Sequence, residues 1–346
     1  MTELDEERQL QEYDKGGMIA VIEAYPDQCR EGIALGDGFR PEIPTGVDKV
    51  IVCGMGGSAM AGEVARRFSR VPVFVNRNYT LPSFAGDGTL IIAVSYSGNT
   101  AETISGLDAG LRARIPAFAV SSGGKLEEIA RSHGIPHLRV PRGYQPRAAM
   151  GYLALSVLRV LAQAGLLRIE PDWEELIHAL ESVRDASRAA VPEADNPAKQ
   201  LARSLYGRIP LFYGTAGNTD LVAMRWKTQV NENSKQPAFW NVIPELNHNE
   251  IVGFSDERLR QGLSCVFLKN DYDHPENRAR IEIMHELLRG KVPAVVIGAD
   301  GRSELSQVLS QIYLGDYVSY YLAILNQIDP TPVELIESFK RRMSAR

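Results

Sequence analysis

The chain has 346 residues, of which 44% are hydrophobic and 23% charged, and its formal net charge is −5. This balance is typical of a folded globular protein rather than a disordered or fibrous one, and the length suffices for two ordinary domains. The overall negative charge gives no field that would attract nucleic acid, although a local site could still bind a small anion.

The three cysteines, Cys29, Cys53 and Cys265, are far apart in the chain, and no Cys/His spacing suits zinc. This pattern predicts reduced thiols and no metal site. The acidic start MTELDEERQLQEYDKGG resembles neither a signal peptide nor a transit peptide. No apolar run approaches the ~18 residues that cross a bilayer. The sequence therefore predicts a cytoplasmic protein with no membrane contact.

The first half of the chain is predicted to form a helical lead-in, residues 1–45, followed by strand–loop–helix units. Val50–Cys53 is a short apolar strand that leads through a glycine-rich turn into a helix from Ala59 to Phe68. Further strands are predicted at 71–75, 90–94, 117–120 and 137–140. Strands that alternate with helices favour a doubly wound parallel sheet, which we place at 46–150.

The second half is predicted to repeat this arrangement after a helical linker, residues 151–200. The linker contains the predicted helices Gly151–Leu167 and Trp173–Ala190. Residues 201–346 should form a second α/β domain with a C-terminal helix. Its predicted strands and helices are 211–213, 264–268, 294–297, 305–327 and 332–343. The segment from Ser234 to Asn247 has neither a helical nor a strand period.

The Ser95–Thr100 loop, SYSGNT, offers three hydroxyls and an amide between a predicted strand and a predicted helix. Backbone N–H groups at a helix start carry partial positive charge, so this composition suits a phosphate monoester. The alternative is an ordinary βα loop in which such residues cap the helix. From this loop alone, both interpretations stay open.

A second loop, Gly54-Met55-Gly56-Gly57-Ser58, follows the first predicted strand. It differs from the dinucleotide motif GxGxxG because Ala59 stands at the sixth position, and no acidic residue ends the next strand. We therefore discount NAD and expect no cofactor. Ligands of open parallel sheets lie at the carboxyl ends of the strands, so Gly56, Gly57 and Ser58 should meet the Ser95–Thr100 loop there.

The pairing of GMGGSAMAGE with VSYSGNTAET resembles the sugar isomerase (SIS) domain family. More narrowly, the chain resembles the bifunctional phosphoglucose/phosphomannose isomerases of archaea and some bacteria. Further blocks carry this resemblance: YDKGGM at 13–18, GYQPRAAMGYL at 143–153, NENSKQPAFWNVIPELNHNEIVGF at 231–254 and YLGDYVSYYLAILNQIDPTPVELIESFK at 313–340. It implies two doubly wound SIS domains and an isomerase that needs no cofactor.

Aldose–ketose isomerisation needs a base for a carbon-bound proton, an acid–base group for ring opening and donors for the enediolate. By the resemblance, Glu232 is the base that moves the proton between C1 and C2. His248 corresponds to the ring-opening histidine, which related isomerases supply from the partner subunit, and this implies a homodimer. Taken alone, Glu232 could equally be a surface carboxylate at a helix end, and His248 a loop histidine.

Three more residues are assigned by the same resemblance. Arg147 would hold the enediolate oxygens, with Arg142 as a rival. Lys340 would contact the ring oxygen, although Arg341 and Arg342 next to it also fit a basic last helical turn. Thr331 would contact the sugar near C2. The phosphate-binding residues are expected to be Gly56, Gly57, Ser58, Ser95, Ser97 and Thr100.

Two other functions use the same fold. A non-catalytic SIS module that senses a sugar phosphate would keep the Ser95–Thr100 loop but would not need Glu232, His248 or Lys340. An amidotransferase-type synthase would need a cysteine near the start of the chain, where residue 2 is Thr. The sequence favours the isomerase, which would interconvert glucose 6-phosphate and mannose 6-phosphate with fructose 6-phosphate through a cis-enediol.

Overall fold

The computed structural model describes residues 2–345. The chain forms two compact units. One, Ala24–Trp173, is called here the five-stranded unit, and the other, Met1–Glu23 with Glu174–Arg346, the four-stranded unit. The predicted lead-in and linker each contribute helices to both units. The domain bounds expected from the motifs stay a prediction.

The strands in chain order are β1 Lys49–Cys53, β2 Val73–Asn76, β3 Thr89–Val94, β4 Ala117–Ser121, β5 His137–Arg139, β6 Ile209–Thr215, β7 Phe239–Ile243, β8 Leu263–Leu268 and β9 Ala294–Ile297. The helices are α1 Glu7–Tyr13, α2 Met18–Glu23, α3 Tyr25–Gly38, α4 Gly56–Phe68, α5 Ala101–Arg112, α6 Gly124–His133, α7 Met150–Gln163, α8 Trp173–Ser187, α9 Pro197–Leu205, α10 Asp220–Asn233, α11 Glu257–Arg260, α12 Pro275–Leu288, α13 Glu304–Leu325 and α14 Glu334–Ser344. Short 3₁₀ helices include Pro146–Ala148, Glu245–His248 and Glu250–Phe254.

The sheet of the five-stranded unit is entirely parallel, in the order β2-β1-β3-β4-β5. The chain leaves β1 toward β2 on one side and continues from β3 toward β4 on the other. The carboxyl ends of the adjacent strands β1 and β3 therefore form a topological switch point, where open α/β sheets bind ligands. This confirms the predicted doubly wound sheet.

Helices α3 and α7 pack closely within the same unit because glycines let their backbones approach. A Cβ on Gly32 would lie 2.5 Å from the carbonyl oxygen of Gly151. The buried Gln28 side chain donates to the Ala148 carbonyl at 2.9 Å and accepts from the Gly151 amide at 2.8 Å. These contacts fix the start of α7, directly after the 3₁₀ helix that carries Arg147.

The sheet of the four-stranded unit is also entirely parallel, in the order β7-β6-β8-β9. Helix α13 is buried along almost its whole length, and its buried residues include polar ones such as Gln311, Asp316 and Ser319. Helix α10 packs against it. No helix among residues 2–345 combines the length and apolar character needed to span a bilayer.

Two details of the sequence prediction were wrong. The segment after Ser234 contains a strand, β7, which sequence periodicity missed. Helix α4 begins at Gly56, so two of the predicted turn glycines belong to its first turn. Most other elements lie within a few residues of their predicted bounds.

Candidate active site

The Ser95–Thr100 loop leaves the buried strand β3 and enters α5. The Ser95 side chain is fully buried, and its hydroxyl shares a hydrogen bond of 2.9 Å with the Thr100 hydroxyl. Thr100 is the N-cap residue of α5, yet its side chain does not cap the helix. An ordinary N-cap would use that oxygen for a first-turn amide, so the structure weakens this alternative. First-turn amides without a capping side chain are suited to an anion.

Gly98 fixes the shape of this loop. Its φ is +71°, and a Cβ there would lie 1.7 Å from the Gly123 carbonyl oxygen. The Lys125 amide donates to the Asn99 side-chain oxygen at 3.0 Å, which ties the loop to the start of α6. Ser97 is exposed. The loop is therefore braced from behind, and the hydroxyl of the exposed Ser97 accepts from the Asn99 amide at 3.3 Å.

The loop that follows β1, residues 54–58, meets the Ser95–Thr100 loop as expected. The Tyr96 amide donates to the buried Ser58 hydroxyl at 3.1 Å. Gly56 has a φ of +51°, and a Cβ on Gly57 would lie 2.7 Å from the Pro146 carbonyl oxygen and 2.8 Å from the Arg147 Cα. Because Gly57 has no side chain, the 3₁₀ helix that carries Arg147 can pack closely against the carboxyl end of the sheet.

The structure brings the predicted phosphate-binding residues and Arg147 together at the switch point of one sheet. Arg147 is 2% exposed. Its rival Arg142 is exposed and donates from Nε to the Ser122 carbonyl at 2.7 Å, so part of its guanidinium is already engaged. The proximity favours Arg147, although its chemical role stays a prediction.

Sequence reasoning missed Tyr96. Its hydroxyl donates to the Pro141 carbonyl at 3.0 Å and accepts from the Tyr144 amide at 2.9 Å. Burial raises the pKa of this phenol, which keeps it neutral and able to donate. Tyr96 therefore connects the Ser95–Thr100 loop with the segment that leads to Arg147. A tyrosine in a polar loop gives no sequence signal for this role.

Glu232 is half-buried near the C-terminal end of α10. The helix is held on α13 by side chains spaced four residues apart. Arg225 forms a buried ion pair with Asp316 at 3.0 Å, Gln229 donates to Asp316 at 2.8 Å, and Asn233 donates to the Ser319 hydroxyl at 2.9 Å. Glu232 follows Gln229 by three residues and Arg225 by seven, so it lies at the edge of this same face, where it is half-buried.

His248 ends a 3₁₀ helix that follows β7, and it is exposed. Two residues later, the Glu250 carboxylate accepts from the Tyr213 hydroxyl at 2.5 Å and from the Asn241 side-chain amide. Burial raises the pKa of Tyr213, so the phenol stays a hydrogen-bond donor. The chain just after His248 is thereby anchored to the middle of the sheet.

Thr331 lies against the N-terminal segment of the same unit. A Cβ on Gly16 would lie 2.2 Å from the Thr331 hydroxyl oxygen, which is buried, and the Thr331 amide donates to Asp329 at 2.9 Å. The Lys235 ammonium contacts the carbonyls of both Glu232 and Pro330. The structure thus places the Thr331 segment beside the end of α10.

Lys340 is exposed on α14. The apolar residues of this helix are exposed as well, with Leu335 at 88%, Phe339 at 66% and Met343 at 42%. Like His248, Lys340 therefore lies on an open surface of the four-stranded unit.

The strand ends of the second sheet are filled by side chains. Asp273 is buried and accepts from Thr215, from the Asn218 side chain at 2.7 Å and from the Asn270 amide at 2.8 Å. These polar groups hydrogen-bond one another. The strand ends of the second sheet are therefore occupied by protein side chains, unlike those of the first sheet. No group of three His, Cys, Asp or Glu placed to hold a metal ion occurs among residues 2–345.

The three cysteines are buried, and within the described part of the chain none of them forms a disulfide. Burial raises the pKa of the Cys53 thiol to about 11 and that of Cys265 to about 12. Both therefore stay protonated and poorly nucleophilic at neutral pH.

Comparison with known proteins identifies relatives in sequence and in structure. Residues 194–343 match the family described as bacterial phospho-glucose isomerase C-terminal SIS domain. The chain is 40% identical to a bifunctional phosphoglucose/phosphomannose isomerase of Caldicellulosiruptor bescii, over 94% of this chain and 99% of that one. It is 36% identical to a protein of the same description from Aquifex aeolicus, over 85% and 90% of the two chains.

Among solved structures, a hypothetical protein from Thermus thermophilus aligns with a TM-score of 0.71 at 16% identity. The alignment covers 98% of this chain and 93% of that one. At this identity the likeness supports the fold, and the assignment of activity rests on the relatives in sequence.

Proposed function

Because the chain belongs to the bifunctional phosphoglucose/phosphomannose isomerase family, we propose that Glu232 and the Ser95–Thr100 loop are the base and the phosphate site of its reaction. The protein is an aldose–ketose isomerase, and this function is favoured over that of a non-catalytic sensor. Its substrates are glucose 6-phosphate and mannose 6-phosphate on one side and fructose 6-phosphate on the other.

The phosphate site is proposed at the switch point between β1 and β3. The convergence of Ser58, the Ser95–Thr100 loop and Arg147 is the observation that carries the proposal. Hydroxyls and helix-start amides would neutralise the dianion without a metal. Binding energy from this non-reacting end orients the sugar for the proton transfer.

The proton transfer is assigned to Glu232. Its carboxylate would take the proton from C2 of the open-chain aldose, and the cis-enediol would receive it back at C1 to give the ketose. His248 and Lys340 would open the ring by exchanging a proton with the ring oxygen and its hydroxyl. Arg147 would stabilise the negative charge on the enediolate oxygens, and Thr331 would contact the sugar near C2. A planar C2 that can accept a proton on either face accounts for both epimers.

The test is a coupled assay that starts from fructose 6-phosphate and follows both aldose products. Wild-type protein should form glucose and mannose 6-phosphates. Ser97→Ala combined with Thr100→Ala should raise KM roughly 10²- to 10⁴-fold, since each of the two lost charge-assisted hydrogen bonds contributes about 1.5–3 kcal/mol. Unchanged KM, or equal use of fructose without phosphate, would contradict the phosphate site.

The same assay tests the base. Glu232→Gln should lower kcat about 10²- to 10⁴-fold, the usual contribution of general base catalysis, with little change in KM. Glu245→Gln is a matched control, since Glu245 is a carboxylate in the same unit that has no proposed role in the reaction. A sensor that binds the sugar phosphate but forms neither aldose would refute the enzymatic function altogether.

We also propose that two copies of the chain form a homodimer. The exposed apolar face of α14 supports a partner that covers it, and His248 and Lys340 are also exposed. A second copy is the occupant that would complete the site, with His248 acting across the dimer. A cytoplasmic location and a role in glycolysis and gluconeogenesis are proposed from the sugar-phosphate substrate and the three reduced cysteines.

A further inference from the structure

Lys235 has an unusual backbone conformation. It follows α10 by two residues, and its φ is +53°, in the left-handed region that residues with a side chain rarely adopt. Such a conformation persists where the surrounding structure enforces it, and it is often found at functional sites. The role of this conformation follows from the contacts of the Lys235 side chain.

The Lys235 ammonium donates to three main-chain carbonyls. The acceptors are the Glu232 oxygen at 2.6 Å, the Pro330 oxygen at 2.9 Å and the Asn233 oxygen at 3.4 Å. An ammonium has three N–H donors, so this set uses its full capacity. Two of the acceptors are terminal carbonyls of α10, which have no amide partner within the helix and favour a cation.

The third acceptor belongs to a different segment, the turn that carries Thr331. Other contacts already hold the end of α10 on α13: the Ser234 hydroxyl donates to the Ser319 carbonyl at 2.7 Å, and Asn326 donates to the Ser234 carbonyl at 3.2 Å. What the ammonium adds is a link between the residue proposed as the base and the turn at Pro330.

We propose that Lys235 is a positioning residue for isomerisation, which sets the Glu232 carboxylate relative to the Pro330–Thr331 turn. This inference rests on the proposed role of Glu232. Proton transfer between two carbons depends on a base held within a fraction of an ångström, and a displacement of ~1 Å can lower the rate about 100-fold. Lys235 acts through Glu232 and does not itself exchange a proton with the sugar.

Lys235→Gly separates positioning from stability. Glycine adopts a positive φ without strain, and this gain offsets the loss of the ammonium hydrogen bonds, so the variant should unfold close to the wild-type temperature. Loss of the ammonium should nevertheless lower kcat roughly 10- to 100-fold while KM stays within about threefold, because the phosphate site is on other residues. Lys235→Arg, whose guanidinium can also donate to carbonyls, should recover most of kcat.

Lys227→Met is the matched control, because it removes the same charge from α10, the helix that Lys235 follows. A second readout uses glucose 6-phosphate that carries deuterium at C2 and measures the fraction of the deuterium found at C1 of the product. A base that is held in position returns part of the label to C1 before it exchanges with solvent. Lys235→Gly should transfer a smaller fraction of the label to fructose 6-phosphate than wild type. Wild-type kcat in Lys235→Gly, or an equal loss in Lys227→Met, would overturn the inference. Full turnover in Glu232→Gln would instead refute the proposed function.

Discussion

At Gly98 the backbone leaves no room for a side chain. A left-handed φ of +71° and a Cβ position 1.7 Å from the Gly123 carbonyl oxygen act together there. The first costs roughly 1–2 kcal/mol for any residue with a Cβ, and the second forces the loop to move. The Ser95–Thr100 loop can therefore adopt this shape because Gly98 has no Cβ atom.

Gly98→Ala should accordingly destabilise the protein by at least ~1–2 kcal/mol and raise KM for the sugar phosphate by about tenfold or more. Thermal unfolding and steady-state kinetics measure the two effects. Gly134→Ala is the control, because Gly134 has a similar φ of +66° but nothing within 4 Å of its Cβ position. If both variants lose the same stability and keep wild-type KM, the clash with Gly123 has no effect on the loop.

The position of the Ser95–Thr100 loop is the part of the candidate site that the sequence predicted well. Ser95, Ser97 and Thr100 follow an apolar run and precede a helix, and that local pattern predicts their place. Tyr96 and Lys235 could not be found in this way. Their partners, Pro141 and Pro330, are distant in the chain, and a lysine gives no sign that its φ will be positive.

At the scale of elements, α10 depends on polar contacts for its attachment to α13. The Arg225–Asp316 pair is almost fully buried, with side chains 1% and 9% exposed. Charges removed from water need each other, so loss of one partner leaves the other uncompensated. The helix that carries Glu232 is therefore specified by an ion pair whose arginine lies two turns before it.

Asp316→Asn should lower the free energy of unfolding by roughly 3–5 kcal/mol, because Arg225 would stay buried without its counter-charge. Denaturant titration measures this loss. Asp185→Asn is the comparison, since the Arg184–Asp185 pair is more exposed, at 27% and 57%, and such pairs contribute only about 0–1 kcal/mol. Equal effects of the two substitutions would show that burial does not control the strength of the Arg225–Asp316 pair.

The elements that the sequence missed have a physical explanation. Strand β7 is an edge strand, paired only with β6 in the described sheet, and Phe239 and Trp240 on it are exposed. An edge strand need not alternate cleanly between apolar and polar residues. Pro237 and Pro244 flank β7, and prolines argue against a strand in the sequence, so they made β7 harder to predict. By contrast, β1 and β3 are buried, and their continuous apolar runs predicted them within one residue.

At the scale of the whole molecule, the apolar side chains of α14 stand out because they are exposed. Its residues Leu335, Phe339 and Met343 lie on one side at helical spacing, and all are exposed. An isolated helix of 11 residues is marginal in water, so it needs a surface to pack against. The proposed second copy would provide that surface.

Leu335→Asp combined with Phe339→Asp should convert the dimer to monomers and lower activity at least about tenfold, since a charge in an apolar interface costs several kcal/mol. Light scattering after size-exclusion chromatography gives the mass, which is 38.2 kDa for one chain. Glu337→Lys changes charge on the opposite side of the helix and should keep the dimer. A wild-type protein that elutes as a fully active monomer would rule out the proposed dimer.

The buried network of Asp273, Asn218 and Thr215 lies where α10 begins, while Glu232 lies where it ends. Helix α10 has 14 residues, which at 1.5 Å each span about 21 Å. A substitution in that network would disturb the start of α10, and the helix would transmit part of the displacement to Glu232. Residues at the start of α10 that take no part in the proton transfer would therefore still influence the turnover number.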